Sequence, residues 1–253
     1  MEGKRLNEIK GFENISMYVK FLKRGYLEDL LNGSIYMKNF NFFIELEKKA
    51  KEKGQGDKLE IAHVVRSNKV KLIDPDTKMV LATASVGEMV ERYTGMEKMP
   101  VFCVTHFHSS DFMVTNIKDG IVTAKIDIPI EDQEMFEQTF GDTAVILTNE
   151  FTDKMIKASK ESNLGIAIGN VQYQDYNFYS PERKKLFDEQ AIDLLFWKDD
   201  FFINQREARF ILTQVAVEDH YRLEIGEIKG NSKVTSTKEL LTDSEFDFAL
   251  NEE

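Results

Sequence analysis

Apolar and polar positions alternate with period two through most of this chain, and the 3.6-residue spacing of a surface helix shows in only a few places. The stretch from Ile15 to Leu22 reads as a first strand. A short helix over Tyr26–Leu31 follows and stops at Asn32-Gly33, a pair that suits a helix C-terminus. Ser34–Met37 reads as a second strand, and Asn39 as the N-cap of a helix over Phe40–Lys51. Strands are predicted over Leu59–Val65, Lys69–Ile73 and Met79–Ala82, the last two joined by an Asp74-Pro75-Asp76-Thr77 turn. Val101–Thr105 reads as a buried strand. Phe112–Ile117 and Val122–Ile128 form a hairpin across Lys118-Asp119-Gly120. Helices are predicted over Glu131–Thr139 and Glu150–Ser159, and strands over Thr143–Leu147, Gly165–Tyr173 and Tyr221–Ile228. The pattern is that of an α+β domain, mainly antiparallel, covering residues 1–235 with a polar, acidic tail over residues 236–253.

The segment from Leu195 to Leu212 carries the most chemistry. It reads as a strand, a charged turn and a second strand with Gln205, Glu207 and Arg209 on one face and Arg206, Ala208 and Phe210 on the other. Polar groups at every second position beside an apolar run suit a strand lining a cleft. The plain alternative is an amphipathic strand with a Glu/Arg pair on its wet side.

Composition narrows the function classes. The chain has 253 residues, 42% hydrophobic and 30% charged, which fits a folded globular protein. A net charge of −11 argues against a general nucleic-acid binder. No apolar run approaches the roughly 18 residues needed to span a bilayer, and no apolar signal core follows the N-terminus. Cys103 is the sole cysteine, which fits a reducing cytoplasm. It sits in an apolar strand, where a thiol is ordinarily packing. His106 and His108 have metal-ligand spacing, but no further ligands accompany them, and they read as an exposed strand-end turn. No phosphate-binding glycine loop or nucleophile elbow is present.

One resemblance spans about residues 15–215. The order is Tyr18-Val19-Lys20-Phe21, then Leu30 to Asn39, then Phe42-Phe43-Ile44-Glu45-Leu46-Glu47 before Gly54-Gln55-Gly56-Asp57-Lys58-Leu59-Glu60. The strand Val101–Thr105, then Val171-Gln172-Tyr173 and the Gln205-x-Glu207-x-Arg209-Phe210 ending complete it. This layout resembles a family of prokaryotic and phage proteins that is distantly similar to ADP-ribosyltransferases. The resemblance implies a split β-sandwich that binds NAD between two sheets, with a role in toxicity, defence or counter-defence. It implies that Lys20 or Arg24 holds phosphate or ribose, that Ser34 or Tyr36 supports the nicotinamide side, and that Glu207 acts on the ribose, with Gln205 positioning a nucleophile. Arg209 would assist in holding the cofactor. Such enzymes usually carry Arg or His on the first strand, so Lys20 is a departure that loses bidentate phosphate contact. The same cleft would serve a non-catalytic protein that binds a nucleotide or a protein partner, and an acidic surface suits a basic partner. Asp57 and Glu60 read as structural or rim residues, with Glu60 opening a strand. Glu207→Gln is expected to leave folding intact.

Overall fold

The computed structural model describes residues 3–50 and 54–249. β1 (Ser16–Leu22) leads through α1 (Leu27–Leu31) and β2 (Ser34–Asn39) into α2 (Phe40–Ala50). The Asn39 side-chain oxygen accepts the Phe42 N–H at 2.9 Å, which fixes where α2 begins. Lys51, the predicted end of this helix, lies outside the described residues. Four short strands follow: β3 (His63–Ser67), β4 (Val70–Ile73), β5 (Val80–Ala84) and β6 (Gly87–Glu91). The long β7 (Pro100–His108) precedes the hairpin of β8 (Phe112–Lys118) and β9 (Ile121–Ile126). Asp119 and Gly120 both take positive φ, 50° and 78°, as a tight hairpin turn requires. Next come α3 (Ile130–Met135), β10 (Thr143–Leu147), α4 (Asn149–Glu161), β11 (Ile166–Asn170) and β12 (Gln172–Gln174). α5 (Pro181–Asp188), β13 (Trp197–Asp199) and β14 (Glu207–Leu212) bring the chain back to the centre. β15 (His220–Glu224), β16 (Ser232–Ser236), α6 (Thr237–Thr242) and β17 (Glu245–Ala249) complete it.

The result is a mixed α and β fold with mostly antiparallel sheets and short helices. Its main sheet has eight strands, six of them in the order β11-β14-β7-β1-β10-β16, with β2 on β7 and β15 on β2. One face of it carries Val104, Val145, Phe210 and Leu223, covered by α1 through Leu30 and Leu31 and by α4 through Phe151 and Met155. The other face carries Val19, Phe21, Phe107 and Ala144 and packs on a three-stranded sheet, β17-β9-β8. Gly33 closes the turn into β2 at φ +86°, and a Cβ there would lie 2.0 Å from the Gly226 carbonyl oxygen, so both conformation and space require glycine.

Three expectations are corrected. Residues 236–249 are not a tail: α6 buries Leu240 and Leu241 in the second core, and β17 pairs with β9. Leu59–Ala62 is a tight turn, not strand, with Ile61 at φ 51° and all four side chains buried. Alternation fails there because the turn is tucked under the sheet. Gly165–Tyr173 divides into β11 and β12, which join different sheets.

Candidate functional site

The site is created by a gap in the main sheet. One edge of β7 is paired along Val101–Thr105 with β14. On the opposite edge, β1 pairs with Thr105–His108 and β2 with Pro100 and Val101. β1 and β2 therefore diverge from one strand, and Phe102, Cys103 and Val104 have no strand partner on that side. A cavity of about 710 Å³ opens there, walled by Phe40, Phe43 and Phe102 and reached by Lys20, Tyr36 and Glu207.

Lys20 and Glu207 approach this gap from opposite sides. Val19 lies opposite Thr105 across β1 and β7, and Glu207 opposite Thr105 across β7 and β14, so Val19 and Glu207 share a face and Lys20 is rooted on the other. The Lys20 side chain turns into the opening, donates to the Cys103 carbonyl at 2.6 Å and lies 4.4 Å from the Phe102 ring centre. It makes no ion pair among the described residues. Burial holds its amine below the ordinary lysine value, against the opposing pull of the Glu207 carboxylate.

The floor is a closed ionic network. Glu207 is 7% exposed and uses both oxygens: Oε1 accepts from Arg209 Nε at 2.7 Å and Oε2 from Lys198 Nζ at 2.9 Å. Its backbone N–H donates to the Tyr173 hydroxyl at 2.8 Å. Arg209 also pairs with Glu60 at 2.8 Å and donates to the Leu195 carbonyl at 2.5 Å. Burial pushes the Glu207 carboxyl up, but the two cations override it and leave it well below the usual carboxylate range. Burial likewise pulls Lys198 down, and Glu207 and Glu60 carry it above its ordinary value. Gln205 accepts from Lys198 at 2.8 Å and donates to the Gly54 carbonyl at 2.9 Å, so its amide is committed to the network. It stands in a 3₁₀ turn ahead of β14, because Arg206 takes a left-handed conformation, φ 47°. Arg206 is anchored there by Asp111 at 3.1 Å and Asp132 at 2.9 Å.

The mouth is aromatic and bordered by ion pairs. Tyr36 stacks on His220 at 4.5 Å and lies 5.1 Å from Arg222 and 5.5 Å from Lys38. Ser34 donates to Glu224 at 2.7 Å. Lys38 pairs with Asp219 and Arg222 with Asp29. Lys23 lines the cavity, whereas the expected Arg24 is exposed and does not. Of the sequence candidates, Lys20, Ser34, Tyr36, Gln205, Glu207 and Arg209 thus border one cavity and Arg24 stands outside. The Cys103 thiol lies at the gap, and burial pushes it above its ordinary value. His106 is not in an exposed turn. It is buried in β7, hydrogen-bonded through Nδ1 to Asn170 at 2.7 Å and stacked between Tyr18 and His108.

Sequence reasoning missed Lys198 and placed Glu60 in a strand. A signal for Lys198 was present: it follows directly on the apolar run Leu194-Leu195-Phe196-Trp197, ahead of Asp199 and Asp200, which could balance its charge in a buried setting. Asp57 sets the turn that delivers Glu60, its Oδ1 accepting the Leu59 N–H at 2.8 Å, while its Oδ2 is buried with no hydrogen-bond partner among the described residues. Burial, aided by the Glu60 charge, pushes this carboxyl up to about 7. The folded state keeps the proton that the unfolded state releases near 3.8, so Asp57 lowers stability as pH rises from about 4 to about 7. Asp57→Asn retains the Oδ1 acceptor and removes that penalty. Thermal melts should show the variant about 1–2 kcal/mol more stable at pH 8, with the advantage gone or reversed near pH 4, since an unpartnered amide also has a cost. An advantage independent of pH would contradict the assignment.

No protein-family model, curated protein or solved structure matches the chain.

Proposed function

We propose that this chain is an ADP-ribosyltransferase-like protein whose β-sandwich, split at β7, takes NAD into the gap. The observation that carries the proposal is the convergence of Lys20 on β1, Ser34 and Tyr36 on β2 and Glu207 on β14 on one cavity lined with aromatic rings. In this reading Lys20, with Lys23 in the role assigned to Arg24, meets the pyrophosphate. Tyr36 and the His220 ring stacked on it form an aromatic edge flanked by Arg222 and Lys38. Glu207 lies beside the ribose, where breaking the nicotinamide bond develops positive charge that a carboxylate stabilises. For that role Lys198 must release Oε2, because both Glu207 oxygens are otherwise occupied.

That double occupancy favours a second reading, in which the cleft holds a nucleotide without turning it over. Titration calorimetry with NAD and with ADP-ribose, alongside an assay for released nicotinamide, separates the two. Binding with release supports the transferase, and binding without release supports the receptor. No heat with either ligand at about 1 mM, where even a 4 kcal/mol site is half filled, would remove both.

A further inference from the structure

Residues 63–91 form a long β-arm, in which β3 pairs with β6 at the base and β4 with β5 at the tip. Every residue of β4 and β5 is exposed, including Leu72 at 60%, Leu81 at 60% and Val80 at 50%. A two-stranded ribbon is marginal in water by itself, and here neither face is covered.

The two open edges differ. The β4 edge carries Lys71 and is preceded by Lys69, charges of the kind that prevent strands from adding to an edge. The run Met79–Val86, which contains β5, has no charged residue and no proline. An unguarded, exposed, apolar edge is a template for another strand, and its own sequence fits it. Antiparallel pairing of two β5 strands about Ala82 sets Ala82 opposite Ala82, Leu81 opposite Thr83 and Val80 opposite Ala84. Each large side chain then meets a small one on both faces, as an isologous twofold contact requires. A second β4 at the β4 edge would instead bring Lys71 beside its own copy. The body of the molecule is acidic, with a net charge of −11 for the whole chain, whereas the tip between Lys69 and Val86 holds three lysines and two aspartates. Contact through the tips therefore keeps the acidic bodies apart.

We propose that β5 is a self-association edge and that its occupant is β5 of a second copy, giving a continuous four-stranded β4-β5-β5-β4 sheet. Sedimentation velocity of the full chain across the micromolar range should show a reversible monomer–dimer equilibrium. Leu81→Lys or Thr83→Lys should weaken it at least about tenfold, because a charge is forced against the paired edge. The melting of dilute monomer should not change for Leu81→Lys, whose side chain is exposed, whereas Thr83→Lys sets a second lysine opposite Lys71 within the ribbon and should lower it slightly. In the stated register the Ala82 Cα atoms lie about 4.5–5.5 Å apart, within disulfide reach. Mild oxidation should therefore link Ala82→Cys into a covalent dimer and leave Lys71→Cys unlinked. A chain that stays monomeric at about 100 µM, where any dimer tighter than roughly 5.5 kcal/mol is substantially formed, overturns the proposal. So does a dimer indifferent to both lysine variants, or equal crosslinking at Ala82→Cys and Lys71→Cys.

Discussion

Glu207→Gln is expected to lower folding stability by about 3–5 kcal/mol at neutral pH, the usual cost of removing one member of a buried ion pair. The near-identity of the two side chains in shape does not rescue the substitution. Lys198 and Arg209 are 3% and 1% exposed, and both would be left facing a neutral amide. Glu60 would retain part of Arg209, whereas Lys198 would keep the Gln205 side-chain carbonyl as its hydrogen-bond acceptor. This reverses the sequence-based expectation of an intact fold. The sign with pH follows from the carboxyl being lower in the folded chain than its ordinary 4.5. Its contribution is complete above that value and is lost as pH falls through the folded pKa. Urea unfolding at pH 7 and at about pH 3 should therefore show a large gap between wild type and variant that narrows in acid. A variant within 1 kcal/mol of wild type at pH 7 would mean that the network does not hold the floor together. Activity measurements on this variant are informative only at temperatures where it remains folded.

Lys20→Met should weaken ADP-ribose and NAD binding by about tenfold to a hundredfold, the range given by losing one hydrogen bond to a charged group. Stability should hold or rise slightly, because the amine is displaced from its ordinary pKa by burial and makes no ion pair among the described residues. The Met side chain retains the contact over Phe102. Calorimetry reads the affinity, and thermal melting in the same buffer reads the stability. Equal affinity in both proteins would remove Lys20 from the ligand and leave it as a tie between β1 and the Cys103 carbonyl. The pairing of these two variants is useful because they predict opposite patterns: one loses the floor, the other the ligand.

Local pattern was enough for elements whose chemistry is contained within them. Thr143–Leu147 is a short apolar run rich in β-branched residues and forms a strand with those bounds. Asn39 caps α2 because its oxygen needs only the N–H three residues on. Nothing local in the sequence indicates that Lys20, Tyr36 and Glu207 border one cavity. What could not be read was whatever depends on distant partners. Lys198 is held by Glu207, and Arg206 departs from strand geometry because Asp111 and Asp132 draw it aside. Hydropathy made residues 236–253 a tail because Lys238, Glu239 and Asp243 outweigh the apolar pair. Leu240 and Leu241 nevertheless point together into the second core.

The seams of the main sheet are unequal in strength. β1 holds β10 along five successive residues, Tyr18 to Leu22, but β2 holds β7 only through Lys38 opposite Val101 and Asn39 opposite Pro100. Proline contributes no N–H, so the second of these pairs lacks a donor on one side. The sheet is therefore weakest where β2 meets β7, at one border of the gap. Separating β2 and β15 from β7 there would break few backbone hydrogen bonds, while the β7–β14 ladder carrying Glu207 and Arg209 stays whole. Ser34 and Tyr36 on β2 thus belong to the compliant wall of the cleft, and the ionic floor to the stiff one.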